Sequence, residues 1–211
     1  MNDDDIWVVT PTGSAVHLLQ PRPESVRLLD IATQLARLPR YNGGTKIGHG
    51  TTVATHSVMV MYFMPSGTPP IDRLHALLHD AHEAYIGDIT TPLERAIAVL
   101  SGSEAVSHLK ARLHLAIEQA AGIGRPDPLT AAAVRLADRQ ALAVEKRDLI
   151  HSDAPPWGSE LPDVSKIAAK AFGESETEAC RVFLFNFNKW ATAAGLTMNP
   201  SFLHGLEDHV W

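Results

Sequence analysis

Apolar residues recur at helical spacing along most of the chain, whereas residues 1–22 follow a different pattern. Two short β-prone runs, at residues 6–9 and 15–19, flank the turn-forming segment 10–14. Such a pair of runs around a Pro- and Gly-containing turn predicts a small hairpin. From residue 24 onward, apolar positions follow the three- and four-residue spacing of amphipathic helices. The chain is therefore predicted to be mainly α, with a small N-terminal β-hairpin.

Helix boundaries follow from capping residues and prolines. We predict helices over residues 24–38, from Thr51 or Thr52 to 64, from the cap Asp72 to about 85, from Thr91 onward, from Ser103 to about 122, from Asp127 to 149, and over 163–172 and 177–194. The aromatic last helix favours a core position or an oligomer contact. The domain prediction is a hairpin extension at residues 1–22, a catalytic core at 23–153, and helices at 154–211 that complete the same domain.

Charge and cysteine content exclude several classes of protein. Eighteen Lys and Arg against 24 Asp and Glu give a net charge of −6, which argues against a nucleic-acid polymer as partner. Cys180 is the single cysteine, so no internal disulfide can form. No apolar stretch approaches the ~20 residues that a bilayer requires, and residues 1–5 are acidic where a secretory signal is basic. We expect a cytoplasmic protein without a membrane partner.

The candidate chemistry rests on His56, the pair His79-Asp80, and Asp138, which fall on separate predicted helices in apolar surroundings. A lone carboxylate in such surroundings costs several kcal/mol, and one shared divalent cation would satisfy all four side chains. Two imidazoles favour Mn²⁺, Co²⁺, Zn²⁺ or Fe²⁺ over Ca²⁺ or Mg²⁺. The alternative is a plain helical protein in which these are ordinary core histidines and paired aspartates.

Residues 79–92, which read HDAHEAYIGDITTP, carry a more specific signal. Together with His56 and Asp138, this run resembles the HD-domain metal-dependent phosphohydrolases, and in particular the branch of bacterial 5′-deoxynucleotidases and phage deoxynucleotide triphosphohydrolases. The resemblance covers roughly residues 24–150. Arg40-Tyr41 resembles the Arg-aromatic pair of that branch. Thr90 departs from the proline that is common in the deoxynucleotidases.

The resemblance implies an HD-domain helical bundle that binds one divalent transition metal through His56, His79, Asp80 and Asp138. Glu83 and Asp88 would position or deprotonate the attacking water. Arg40 would bind a phosphate, and the alternative is a solvated loop charge. Tyr41 would stack on a base or sugar, or would only pack the loop. The family also implies a homodimer.

The expected activity is hydrolysis of deoxynucleoside 5′-monophosphates to deoxynucleoside and phosphate, with a small-molecule nucleotide as the partner. The first alternative is a dNTP triphosphohydrolase. Two others are a non-catalytic nucleotide-binding HD module and a dinuclear HD phosphodiesterase or oxygenase. The dinuclear case requires further ligands, for which His82, His108 and His114 are candidates. We expect His108 and His114 on the surface, and His82 either beside the ligands or on the surface.

Overall fold

The hairpin at the start of the chain is present in the computed structural model, which describes residues 5–46, 48–158 and 160–206. Strand β1 (Trp7–Val9) pairs antiparallel with β2 (Ala15–His17). Val16 is fully buried, so the hairpin packs one face on the core. The prediction of a hairpin is confirmed for these residues. Residues 1–4 of the predicted extension, and residues 207–211 of the predicted C-terminal part, lie outside the described residues.

Eight α-helices account for most of the described chain, which confirms the mainly α prediction. They are α1 (Leu28–Arg37), α2 (Val53–Phe63), α3 (Pro70–Leu77), α4 (Glu83–Ile86), α5 (Thr91–Ser101), α6 (Ala105–Ala121), α7 (Pro128–Leu149) and α8 (Glu176–Ala194). Short 3-10 turns lie at Pro23–Ser25, Arg40–Gly43 and Pro200–Leu203. The side chains of Thr52, Asp127 and Ser175 accept backbone N–H hydrogen bonds at the starts of α2, α7 and α8.

Helix α2 lies at the centre of the bundle. Its residues are apolar on all sides, and they pack against α1, α3, α7 and α8. A helix that is apolar all round is stable only when neighbours surround it. The polar residues His56 and Ser57 in the first half of α2 are consequently held away from water and have no exposed surface.

Helix α8 completes the core from the far end of the sequence. It packs mainly against α1 and α3, where Phe183 and Phe187 are buried. Phe185 is 55% exposed on the opposite face. The core position predicted for the aromatic helix is therefore confirmed for two of its phenylalanines, whereas the oligomer contact stays a prediction.

Several helix ends differ from the predicted ones. The predicted helix over 24–38 is divided into the 3-10 turn Pro23–Ser25 and α1, while Asp72 lies inside the first turn of α3 rather than capping it. Glu104, not Ser103, precedes α6, and Thr90, not Thr91, precedes α5. These shifts of one to a few residues leave the order of the helices unchanged.

The largest correction concerns the predicted helix from Asp72 to about residue 85. Helix α3 ends at Leu77, and residues 78–82 form tight turns before the short α4. His79 Nδ1 lies 2.9 Å from the carbonyl oxygen of Ala76. The His79 side chain thus uses a carbonyl near the end of α3 that a backbone amide would bond in a continuing helix. Side chains that bond local carbonyls compete with the helical ladder in this way. The amides that follow, including that of Glu83, reach back three residues.

The predicted helix over 163–172 is wrong, because this segment is an irregular strap along α7. Arg147 donates side-chain hydrogen bonds to the carbonyls of Val164, Ile167 and Ala169, and Asp148 accepts one from the amide of Ala171. These bonds use backbone groups that a helix would pair internally. Val164 and Ala171 are buried against α7.

Among the described residues, no helix combines the length and the apolar character that a membrane crossing would require.

Candidate metal centre

Four side chains from three parts of the chain converge at one point of the bundle. His56 lies on α2, His79 and Asp80 lie in the turns after α3, and Asp138 lies on α7. His56 Nε2 is 3.1 Å from Asp138 Oδ1 and 3.8 Å from Asp80 Oδ2. His79 Nε2 is 3.1 Å from Asp80 Oδ2 and 3.9 Å from Asp138 Oδ1. Donors bound at ~2.1 Å to one cation are separated by roughly 3.0–3.5 Å. Within this cluster, the ligand atoms of His56, His79 and Asp138 all lie within 4.8 Å of one another and could hold a divalent cation, with Asp80 Oδ2 in contact with both imidazoles.

Glu145 fixes the orientation of the His56 ring. The Glu145 side chain is fully buried two helical turns beyond Asp138 on α7, and its Oε1 lies 2.9 Å from His56 Nδ1. Because Nδ1 donates its proton to this carboxylate, the lone pair of Nε2 is available to a cation. The carboxylate–imidazole pair is the arrangement that commonly supports a metal-binding histidine.

A backbone carbonyl fixes His79 in the same manner. With Nδ1 donating to Ala76, Nε2 faces the carboxylates, yet this buried nitrogen has no hydrogen-bond partner despite its 3.1 Å contact with Asp80 Oδ2. Such a contact, short but not aligned as a hydrogen bond, is expected when the nitrogen and the oxygen both point at a shared cation position rather than at each other. The ring centroids of His56 and His79 are 5.3 Å apart.

The carboxylates attract positive charge to this point. Burial alone would lower the pKa of His79, but the adjacent Asp80 raises it to about 9. Burial would raise the pKa of Asp80, and His79 instead holds it well below its usual value. Burial and Arg40 lower the pKa of His56, whereas Glu145 and Asp138 raise it to above its ordinary value. The site thus stabilises either protons on its imidazoles or a divalent cation.

Glu83 and Asp88 lie beside the four candidate ligands. Burial, followed by repulsion from Asp80 and Asp88, raises the pKa of Glu83 to about 9. Burial and Asp80 also raise the pKa of the half-buried Asp88, although Arg40 opposes them. The ligand atoms of Asp80, His82 and Glu83 lie within 4.8 Å of one another, which makes a second group that could hold a metal ion. Glu83 Oε2 and His82 Nδ1 are buried without hydrogen-bond partners.

Arg40 and Tyr41 lie at the same site and share a partner that the sequence did not reveal. Arg40 Nε lies 3.0 Å from Glu145 Oε2, and the Tyr41 hydroxyl donates to that oxygen at 2.5 Å. Arg40 Nη1 is 3.9 Å from Asp80 Oδ2, so the guanidinium is adjacent to the candidate ligands. The Arg40 side chain is only 10% exposed, which excludes a solvated loop charge. Burial opposes its charge, but Glu145 raises its pKa, and Arg40 stays cationic.

Trp157 and Glu145 are the two site residues that sequence reasoning missed. The Trp157 ring lies 5.9 Å from that of Tyr41, and Lys146 Nζ lies 5.0 Å from the Trp157 ring centre. Only Glu145 had a visible signal, since it is a charged residue after the apolar pair Ala143 and Val144 on the helix of Asp138. Trp157 follows α7 in a segment without regular spacing, so nothing linked it to Tyr41.

The remaining candidate histidines are divided between surface and interior. His108 is exposed, as predicted. His82 is buried, and its ring lies 6.0 Å from that of His114. The His114 side chain is 28% exposed and contacts Glu118, so its predicted surface position holds only in part.

Removal of divalent cations should lower the melting temperature. A cation at a hundred times its dissociation constant stabilises the fold by about 2.7 kcal/mol. For a chain of this size, that corresponds to a shift of roughly 5–11 °C. The measurement is thermal unfolding by circular dichroism with EDTA, followed by addition of Mn²⁺ or Co²⁺ in excess. We expect the added cation to restore the higher value, and an identical melting temperature under all three conditions would contradict a cation site.

Glu145→Gln should weaken cation binding by about 10–100-fold, because the neutral amide orients His56 less firmly. It should also change the pH dependence of stability. Burial raises the pKa of Glu145, but His56 and Arg40 lower it to about 2. This depressed pKa contributes stability above the unfolded value near 4.5 that is lost as the pH falls toward 2. We expect acid unfolding of the variant to lack this contribution, and identical acid titrations would refute the charged role of Glu145.

No profile of a known protein family matches the chain. An uncharacterized protein of Rhodobacter capsulatus is 39% identical over 94 residues, which are 43% of this chain and 48% of that protein. The chain thus spans about half the length of this relative. The uncharacterized protein YfdR of Escherichia coli K12 is 27% identical over 151 residues, which are 72% of this chain and 76% of that protein. Neither description assigns an activity.

Proposed function

We propose that the protein is a divalent-cation-dependent phosphohydrolase of the HD type that acts on 2′-deoxynucleotides. The observation that carries this proposal is the convergence of His56, His79, Asp80 and Asp138, in which each imidazole Nε2 lies 3.1–3.9 Å from an oxygen of both carboxylates. The run at residues 79–92, which resembles that of the HD phosphohydrolases, supports the same assignment. The reaction that we favour is release of phosphate from deoxynucleoside 5′-monophosphates.

The chain's own residues would prepare the site for attack by water. A bound cation would supply Lewis acidity toward phosphoryl oxygens and lower the pKa of a water molecule. Glu145 and the Ala76 carbonyl hold the two imidazoles in the orientation needed for binding. When Asp80 serves as a ligand, its charge is neutralised and the repulsion that raises the pKa of Glu83 falls. Glu83 can then accept a proton, with Asp88 beside it to position the water.

Arg40 is suited to hold the phosphate. Glu145 engages its Nε, and Arg40 Nη1 lies near Asp80 at the edge of the ligand set. A guanidinium that is oriented at one nitrogen can offer its other donors to phosphate oxygens in a fixed plane. This arrangement would place the anion beside the cation ligands, where the transferred phosphoryl group must lie.

The rings of Tyr41 and Trp157 form an aromatic wall, by which we mean these two side chains, next to the phosphate position proposed at Arg40. The Tyr41 hydroxyl donates its proton to Glu145, so Tyr41 offers no hydrogen-bond donor to a sugar hydroxyl, and its ring face offers none either. A 2′-hydroxyl buried against it would lose its water partners at a cost of about 1–3 kcal/mol. The wall therefore favours 2′-deoxy substrates.

The predicted substrate preference is tested with a panel of dNMPs, rNMPs and dNTPs, assayed for phosphate and triphosphate release with Mn²⁺ or Co²⁺. We expect kcat/KM for dAMP to exceed that for AMP by roughly 5- to 150-fold. Tyr41→Ala should reduce this ratio, whereas Tyr41→Phe keeps the ring and should preserve it. Equal values for dAMP and AMP in the wild type would refute the deoxynucleotide assignment.

Three alternatives give different results in the same assays. Release of triphosphate from dNTPs would indicate the triphosphohydrolase. Nucleotide binding without turnover would indicate a non-catalytic module. The dinuclear phosphodiesterase or oxygenase is favoured by one observation, the clustering of Asp80, His82 and Glu83. That alternative predicts that Glu83→Gln lowers the number of cations bound per chain.

A further inference from the structure

Four side chains beside the candidate metal centre are linked by successive contacts. The guanidinium carbon of Arg40 lies 5.3 Å from the centre of the Tyr41 ring. The Tyr41 ring centre lies 5.9 Å from that of Trp157, and Lys146 Nζ lies 5.0 Å from the Trp157 ring centre. The series begins at the residue proposed to hold the phosphate and continues through two aromatic rings to a second cation.

The segment that carries Trp157 is attached to α7, the helix that also carries the candidate ligand Asp138. Arg139, the neighbour of Asp138, donates a side-chain hydrogen bond to the carbonyl of Glu160. Leu161 packs against an apolar cluster that includes buried residues of α7. The position of Trp157 therefore does not depend on its contact with Tyr41 alone, because the residues that follow it are fixed beside the candidate metal centre.

The order of the contacts matches the order of the groups in a nucleotide. A nucleotide presents a phosphate, a sugar and a base, and Arg40, Tyr41 and Trp157 offer a guanidinium, a phenol ring and a larger indole ring in the same order. In the proposed function, the sugar lies against Tyr41, so the base attached to that sugar lies toward Trp157. Trp157 is partly exposed, which leaves indole surface accessible to a ligand.

We propose that Trp157 is the nucleobase contact of this site and makes the protein prefer nucleotides over sugar phosphates. The inference rests on the proposed function, because the phosphate position at Arg40 defines where the base lies. Aromatic side chains stack on bases, and a neighbouring cation such as Lys146 can add a cation–π contact with the base. Trp157 lies outside residues 24–150, so the resemblance to the HD phosphohydrolases does not supply this role.

The inferred contact also defines the range of bases. Every nucleobase has a π face, so stacking on an aromatic side chain tolerates all of them. We therefore expect the four 2′-deoxynucleotides to bind with similar affinities, and each to bind more tightly than a deoxyribose phosphate that lacks a base.

The test compares two non-hydrolysable phosphonates, one an analogue of dAMP and the other an analogue of 2-deoxyribose 5-phosphate, which has no base. Their dissociation constants are measured by isothermal titration calorimetry with Mn²⁺ present. Because neither ligand can be hydrolysed, the measurement does not depend on enzymatic activity. We expect the wild type to bind the dAMP analogue roughly 5- to 150-fold more tightly, the ratio that corresponds to one stacked base.

Three variants separate stacking from other causes of this preference. Trp157→Leu should abolish the preference without changing the affinity for the base-free analogue, whereas Trp157→Phe keeps an aromatic face and should retain most of it. Trp7→Leu is the matched control, because Trp7 is 50% exposed on the hairpin. This control should leave both dissociation constants at their wild-type values.

Each result has a defined meaning for the inference. Equal affinities for the two analogues in the wild type would overturn it, as would a preference that Trp157→Leu leaves intact. In both cases, binding of the base-free analogue would leave the proposed phosphohydrolase standing, whereas failure of both analogues to bind would overturn the inference together with the proposed function. Where Trp157→Leu does not fold, tryptophan fluorescence decides. The dAMP analogue should quench the wild type more than Trp157→Phe, and equal quenching overturns the inference.

Discussion

Asp138→Ala should abolish both hydrolysis and cation binding at the candidate metal centre. Asp138 Oδ1 lies within 3.9 Å of the Nε2 atoms of both histidines, so its loss removes the ligand that the two imidazoles share. Losing a direct ligand should reduce affinity by more than the roughly 10–100-fold expected for an outer partner such as Glu145. We therefore expect no detectable turnover at cation concentrations that saturate the wild type.

The measurements for Asp138→Ala are isothermal titration with Mn²⁺ or Co²⁺ and phosphate release from dAMP. Asp153→Ala is the matched control, because its carboxylate is 85% exposed on the segment after α7. The control should keep wild-type affinity and rate. Unchanged rate and affinity in Asp138→Ala would show that the converging side chains are an ordinary buried ion-pair network.

Glu83→Gln should have the second largest effect, with turnover reduced by about 10²- to 10⁴-fold while the cation is retained. Glutamine keeps nearly the shape of the glutamic acid side chain but cannot accept the proton. Glu83 is 6% exposed next to Asp80, and its Oε2 has no partner in the resting protein. We therefore expect the substitution to remove the proposed base, Glu83, without removing any of the four proposed ligands.

Single-turnover rates across pH, combined with cation counts, give the readout for Glu83→Gln. The variant should lose the rate dependence on deprotonation of the base, and KM should change less than kcat. Glu104→Gln serves as the control for a carboxylate on an exposed surface. If Glu83→Gln instead binds fewer cations, Glu83 is a ligand and the dinuclear alternative replaces the proposed base.

Sequence reasoning was most successful where local chemistry determines structure. The caps Thr52 and Asp127 and the proline at the start of α7 define helix ends through hydrogen bonds within a few residues. The sequence-based prediction of helices failed at residues 78–82 and 163–172, where side chains form hydrogen bonds with backbone groups that a helix would pair internally. The carbonyls bound by Arg147 belong to a segment distant in sequence, and no spacing rule could assign them.

The candidate site was also predictable only in part: the sequence indicated the residues that converge, but not the residues that orient them. The structure brings His56, His79, Asp80 and Asp138 together, although their role as ligands stays a prediction. The position of Glu145 among apolar residues was visible in the sequence, but its role was not, because that role arises from contacts with His56, Arg40 and Tyr41 on other segments. Such a shared partner becomes visible only when the tertiary structure is known.

The packing of α1 against α8 has a consequence for how the chain folds during synthesis. Helix α8 begins about 140 residues after α1 ends, and at about 5–20 residues per second the ribosome needs roughly 7–28 s to make that length. Until then, the apolar face of α1, with Ile31 and Leu35, lacks its main partner. Long-range contacts of this kind delay folding and leave apolar surface open to aggregation. Nascent chains stalled before α8 should therefore be strong clients for chaperones.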